Sequence, residues 1–314
     1  MVDQPHRDVL DREASSAEVD QHFRQTLELL REVVNYGTNL LVRCLGATTG
    51  EILDVVAIAV FGKQVVAALD AVEQLARTGS GLGARVVMRA LLEASLYCEW
   101  VLASSGDERA RAYYVANLRR ELSWSKRALP GTVEHDQFRE AMGEIYQDPL
   151  RDLPGGPEHV SDRIAELETH LKGKAFAEIN SEFDRFRGNR SFDPSWHRVA
   201  GAPTLRDVAE GAGRLAEYTI FYSAYSNDTH SGSYKSHLDV REGSAMLHPI
   251  RSLHQLTEVL QNSLTFAFRT YRALLTRYRP DELPAYSRLY ISEWSSRYRA
   301  IPKVAVEFKE RPSS

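Results

Sequence analysis

The sequence predicts an all-α fold, a bundle of long antiparallel helices with a smaller helical insertion. Three observations predict it. Apolar residues recur at three- and four-residue spacing through most of the chain, the period of an amphipathic helix. No alternating apolar–polar run of useful length appears, and nothing repeats at a fixed period. Short Gly, Ser and Pro clusters separate the periodic stretches, which suits short connections between neighbouring helices.

The elements follow in order. Ser15 and Ser16 cap a first helix whose apolar positions are Phe23, Leu27, Leu30, Val34, Leu41 and Leu45, bracketed by Gly46 and Gly50. A second helix runs from about 51 to 77 and stops at Gly79-Ser80-Gly81. A third covers about 82 to 103, before Ser104-Ser105-Gly106. Asp107 stands at the N-cap of a fourth, which reaches about Leu129. Thr132 caps a short helix to about Tyr146, and the Pro/Gly-rich stretch 148–157 reads as a loop. Helices at about 158–171 and 176–187 precede an irregular segment, 188–203, holding Trp196 and His197. A helix at about 204–229, an irregular segment at 231–248, a long helix at about 250–278 closed by Pro280, and a last helix at about 284–299 complete the chain. The expected organisation is a flexible N-terminus (1–14), one helical domain (15–300) carrying an insertion at 132–188, and a polar tail (301–314).

Composition narrows the function classes. Hydrophobic residues make up 43% and charged residues 26% of the 314 positions, which is ordinary globular usage. A net charge of −4 argues against a protein that coats nucleic acid by charge alone. Cys44 and Cys98 are the two cysteines, too few for a disulfide framework or a four-cysteine zinc site, and both sit in apolar surroundings expected to be buried. No apolar leader opens the chain. The most apolar run, 55–69, is interrupted by Lys63 and reads as a core helix rather than a membrane span. The expected location is cytoplasmic, with no membrane partner.

No GxxxxGK(S/T), HExxH, GxSxG or ExxH motif occurs, so P-loop nucleotidase, zinc protease, α/β-hydrolase and ferritin-like di-iron chemistry find no support. What carries chemistry is two polar stripes. On the third helix Arg85, Arg89, Glu93 and Tyr97 recur every fourth residue. The plainer alternatives are a solvated Arg89–Glu93 pair or a structural ion pair that fixes register. On the helix ending near 229, Tyr222, Ser226 and His230 recur at the same step, with Asn227 and Asp228 beside them. His230 is a candidate general base, and Asp228, Ser226 and Tyr222 are its candidate polar partners. The plainer alternative there is a C-capping cluster.

Two further features stand out. His230, His237, His248 and His254 fall within 25 residues, among Asp228, Asp239 and Glu242. With Glu93, the group His230, His237 and His248 is a candidate divalent-metal site, although its spacing matches no named motif. No other cofactor is expected. Between 269 and 311, ten Lys or Arg face five Asp or Glu and interleave with aromatics. That pattern suits single-stranded nucleic acid, or simply amphipathic helices with buried rings and solvated Arg.

The order Arg89-x-x-x-Glu93, then Trp196-His197, then Tyr222-x-x-x-Ser226-x-x-x-His230 resembles a bacterial helical family catalogued as domain of unknown function 5677, over roughly residues 50–270. The resemblance implies that the two stripes recur together and implies no known reaction. Some helical proteins of this look are compared with HEPN ribonucleases, which carry an Arg, then four to six intervening residues, then a His. Arg163–His170, Arg190–His197 and Arg241–His248 have that spacing, no more often than chance provides, and His230 has no Arg there.

Several uses are therefore expected of a polar pocket between the two striped helices. One is nuclease or toxin-like action on RNA by general acid/base catalysis, with His230 as base, Tyr222, Ser226 and Asp228 as partners, and Arg89 as a phosphate clamp paired to Glu93. Another is a non-catalytic regulatory bundle that binds a small anion or nucleotide. A third is a metal-dependent enzyme using the His/Glu cluster, and a fourth a structural homodimer built through long helices.

Overall fold

A computed structural model describes residues 4–104, 106–143, 156–230, 234, 237–241 and 244–304. The chain divides into two compact units, Met1–Ala103 with Val208–Ser314, and Ser104–Asp207.

The first unit opens with α1 (Arg12–Leu45). Its cap is Asp11 rather than Ser15 or Ser16: the Asp11 carboxylate accepts from the Ala14 amide at 2.9 Å. Ser15 lies inside the first turn, where its hydroxyl donates to the Asp11 carbonyl. Helix α2 (Ile52–Arg77) is long and apolar enough to cross a membrane by length and composition. Here Val56, Ile58, Phe61, Val65, Leu69 and Val72 are buried, as in a core helix. Its residues Val55–Gly62 form wider, π-helical turns. Helix α3 (Gly81–Leu102) buries Ala84, Met88, Leu91, Leu92 and Val101.

The second unit holds α4 (Glu108–Ala128), α5 (Val133–Met142), α6 (Gly156–Lys172), α7 (Ala177–Arg187) and the short α8 (Trp196–Val199). Asp107 stands at the N-cap position of α4 as expected, with its carboxylate accepting from Arg111 Nε at 2.7 Å and no cap bond from its side chain to the first turn. Thr132 caps α5 as expected, accepting from the His135 amide. Val115 and Leu118 of α4 pack with Leu167 and Leu171 of α6 and Phe183 of α7 to form this unit's core. Arg119 ties it together through Asp184, Asp193 and Asn180, with its guanidinium 5.4 Å from the Phe183 ring.

The return to the first unit departs from one expectation. The helix expected over 204–229 is broken into α9 (Leu205–Gly211) and α10 (215–229). Gly213 takes φ +67° between them, a left-handed conformation that a helix cannot continue through. Within α10, Tyr218–Tyr222 is π-helical. The segment expected to be irregular after it contains an antiparallel hairpin, β1 (Leu238–Arg241) and β2 (Ser244–Leu247), in register Leu238↔Leu247 to Arg241↔Ser244. Four-residue strands are too short to show an alternating pattern.

Helix α11 (Leu256–Tyr278) starts six residues later than expected. The chain from 250 instead runs as a strap. The Ile250 amide donates to the Val9 carbonyl, and Ser252 donates to Gly79, each at 2.8 Å. A last helix, α12 (283–299), is π-helical at Tyr290–Trp294. Helices α1, α2, α3 and α11 pack together as the core of this unit. Tyr36, Phe268, Tyr286 and Trp294 close one side of it, with Trp294 edge-on to Tyr36 at 5.4 Å and stacked on Phe268 at 5.5 Å. Of the aromatics of the basic C-terminal stretch, Tyr271, Tyr286 and Trp294 are buried and Tyr278, Tyr290 and Tyr298 half-buried. The expected loop at 148–157 and the tail beyond 304 lie mostly outside the described residues.

Candidate functional site

The site grows from α3. Three ionic residues at four-residue steps share one edge of a helix that buries Ala84, Met88, Leu91, Leu92, Leu96 and Val101 and leaves Val86 and Ala90 exposed. The end of α10, Ser223–Thr229, packs against α3, and its own four-residue row faces that edge.

Arg85 is the inner member. Its Nε donates to Asp228 Oδ2 at 2.5 Å and its Nη1 to Glu258 Oε2 at 2.9 Å. Its guanidinium lies 5.5 Å from the Tyr225 ring, whose hydroxyl accepts from Asn262 at 2.9 Å. Burial alone would weaken Arg85 as a base, but the Asp228 hydrogen bond and the Glu258 charge outweigh it and hold its pKa above the usual value. Asp228 thus serves Arg85.

Arg89 is the hub. Its Nε donates to Glu93 Oε1 at 3.0 Å, and its Nη2 to the Tyr222 hydroxyl at 3.1 Å. Its Nη1 reaches Ser226 Oγ at 3.3 Å and His230 Nε2 at 2.7 Å. The hydrogen bond that Arg89 donates to Glu93, opposed by burial and helped by the nearby charges of Tyr222 and Glu93, raises the Arg89 pKa. The guanidinium also lies 5.2 Å from the Tyr222 ring, which stacks on Tyr218 at 4.7 Å. An arginine can only donate, so His230 Nε2 is the acceptor and the ring proton resides on Nδ1. In this arrangement the imidazole is neutral.

Tyr97 stands one turn beyond Glu93 and contacts Phe61, with ring centroids 5.5 Å apart. Burial, then the nearby charges of Glu93 and Tyr222, push its phenol well above the ordinary range, so it stays protonated. The edge therefore offers a fixed cation, a neutral imidazole, and several hydroxyls within one hydrogen-bonding cluster. His230 and Arg89 remain partly accessible to solvent.

The structure brings together Arg89, Glu93, Tyr222, Ser226 and His230, and sets Asp228 beside them on Arg85. The metal candidates are arranged differently. His237 and His248 flank the hairpin and are joined by a backbone bond, His248 N to His237 O at 2.8 Å. Among the described residues, no group of three or more His, Cys, Asp or Glu is placed to hold a metal ion. Glu242 lies outside the described residues. His197, of the Trp-His pair, belongs to the second unit, where it is buried and donates from Nδ1 to the Ala202 carbonyl at 2.7 Å.

One ionic cluster was not anticipated. Arg214, 1% exposed, donates to Ser95, Glu99 and Glu217, and Arg269 pairs with the same two carboxylates. Arg214 also lies 5.1 Å from the Phe266 ring. Burial first, against the opposing pull of Arg214 and Arg269, raises the Glu99 pKa. The local trace of this cluster, Arg214-x-x-Glu217, looks like any surface pair, and its other members lie far off in sequence.

A family model described as "Family of unknown function (DUF5677)" covers residues 54–245. No curated protein and no solved structure matches the chain.

Proposed function

The chain belongs to the family of unknown function DUF5677, and we propose that the Arg89–His230 cluster is a centre for general acid/base cleavage of RNA. One observation carries the reading. A guanidinium, an imidazole and two hydroxyls from segments more than 130 residues apart meet within 3.3 Å on a solvent-accessible edge. These are the groups that transesterification at a phosphodiester requires: a base, an acid and a cation for the charge that builds on the phosphoryl oxygens.

The roles follow from the geometry. Arg89, braced by Glu93, holds the phosphate. His230 Nε2 takes the proton of the ribose 2′-hydroxyl as the new O2′–P bond forms. The P–O5′ bond breaks, and the Tyr222 hydroxyl gives its proton to the departing 5′-oxygen. The proton on His230 then returns to Tyr222. The products are a 2′,3′-cyclic phosphate and a free 5′-hydroxyl, and no other reactant is consumed. Ser226 orients the guanidinium, and Arg85, held by Asp228, supports the field from behind.

The test is incubation of the purified chain with single-stranded RNA and analysis of the product ends. Cleavage with cyclic-phosphate ends is expected. His230→Ala should lower the rate roughly 10²- to 10⁴-fold, the usual contribution of a positioned acid or base. A 2′-deoxy substrate should resist. RNA left intact, together with a melting temperature that rises with added phosphate or nucleotide, would favour the alternative of a regulatory bundle that binds an anion without chemistry.

A further inference from the structure

We infer that Arg89 is a latch on His230: it caps the imidazole Nε2 in the resting molecule, and an incoming phosphate group opens the site by drawing the guanidinium away. The inference rests on the RNA reading for its purpose, and it adds how the same site is regulated.

The argument starts from donor and acceptor chemistry. Nη1 of Arg89 lies 2.7 Å from His230 Nε2, and the guanidinium has no lone pair to offer. The one lone pair that could accept a substrate proton is therefore occupied. His230 is exposed, so solvent access does not limit its reactivity; the contact with Arg89 does. The other bonds of Arg89 run to Glu93, Ser226 and Tyr222. Of its acceptors, Glu93 alone is ionic, whereas the imidazole and the two hydroxyls are neutral. A phosphate oxygen offers a charge-assisted, bidentate acceptor, which forms the stronger bond to a guanidinium. The guanidinium is a rigid plane, so its Nη edge turns by a pivot of the whole group about the Nε–H···Glu93 bond, taken up by the torsions of the aliphatic stem. Turning that edge toward phosphate frees the Nε2 lone pair at the moment a substrate is present. The same motion carries the cation to the oxygens where charge will build. An empty site would thus hold its base inactive, which suits a nuclease that must not act indiscriminately.

The experiment reads the lone pair rather than the activity. Diethyl pyrocarbonate acylates an imidazole through an unprotonated ring nitrogen, and mass spectrometry locates the modified residue. His22 and His254, both exposed, serve as references within the same molecule. In chloride of matched ionic strength, His230 of the wild-type chain should react more slowly than the references. Inorganic phosphate should raise the His230 rate roughly tenfold, the factor that a charge-assisted hydrogen bond commands. Arg89→Met, which keeps the apolar stem and removes every donor, should give the faster rate without phosphate. A His230 rate equal to the references from the start would overturn the latch. So would a wild-type rate that phosphate leaves unchanged, even if Arg89→Met reacts faster. RNA cleavage with a phosphate-insensitive His230 would sink the latch and leave the proposed reaction standing. A phosphate-sensitive His230 in a protein that spares RNA would do the reverse.

Discussion

Gly37 and Tyr271 set the tightest fit at the residue scale. The Tyr271 hydroxyl crosses from α11 to donate to the Val33 carbonyl of α1 at 3.1 Å, directly over Gly37. A methyl at position 37 would stand 2.1 Å from that oxygen and 2.8 Å from a Val66 methyl. Gly37→Ala should therefore cost about 1–3 kcal/mol despite its better helix propensity, read as a lower midpoint in chemical denaturation. Arg214 is the other exacting position. Arg214→Ala leaves Glu99 and Glu217 partly buried without their central cation and should cost about 3–5 kcal/mol. An Arg214→Ala chain as stable as wild type would remove the cluster from the account of stability. These residues also mark how far the sequence could be read. The row Arg85, Arg89, Glu93 was legible because helical period alone puts the three on one edge. That Asp228 turns to Arg85 was not, because periodicity fixes which face a residue occupies but not which of two neighbours it chooses.

At the scale of elements, propensity and period located the long helices to within a few residues, and backbone exceptions account for most of what they missed. Gly213 shows the reason. The apolar period runs smoothly across 204–229, and only a positive φ, invisible to hydropathy, breaks it. Gly213→Ala forces a side chain into that left-handed well and should destabilise by about 1–2 kcal/mol, checked by thermal unfolding. The hairpin at 238–247 was missed because Val240, Met246 and Leu247 are all exposed, so no buried face imposes alternation. The π-helical turn at 55–62 is uniformly apolar and was equally silent. It is held from α3, where the Cys98 thiol donates to the Ala57 carbonyl at 3.5 Å.

At alkaline pH the whole molecule responds through buried thiols and phenols. Burial pushes Cys44 up to about 11, from an ordinary 9.0, and pushes Cys98 further. Tyr225, Tyr271, Tyr278 and Tyr286 are raised in the same direction, first by burial. The sign follows from linkage. Above pH 9 the unfolded chain releases protons that the folded chain keeps, so it binds fewer protons and stability falls as pH rises. Stability should be insensitive to these groups below pH 9 and decline from there through pH 11, as denaturation midpoints measured across that range would reveal. Cys44→Ser should blunt the onset. A flat profile would mean that neither thiol is as buried as the packing indicates.

The tryptophans fall unevenly between the two compact units. Trp100 and Trp294, in the first, are each 3% exposed, whereas in the second Trp124 is 53% exposed and lies under Arg127, and Trp196 is half-buried. Emission colour is thereby weighted by unit: the bluest light reports the α1–α3–α11 core, and the red, acrylamide-quenchable fraction reports Trp124 of the other. Loss of each unit's structure can be followed in one cuvette, with no label attached.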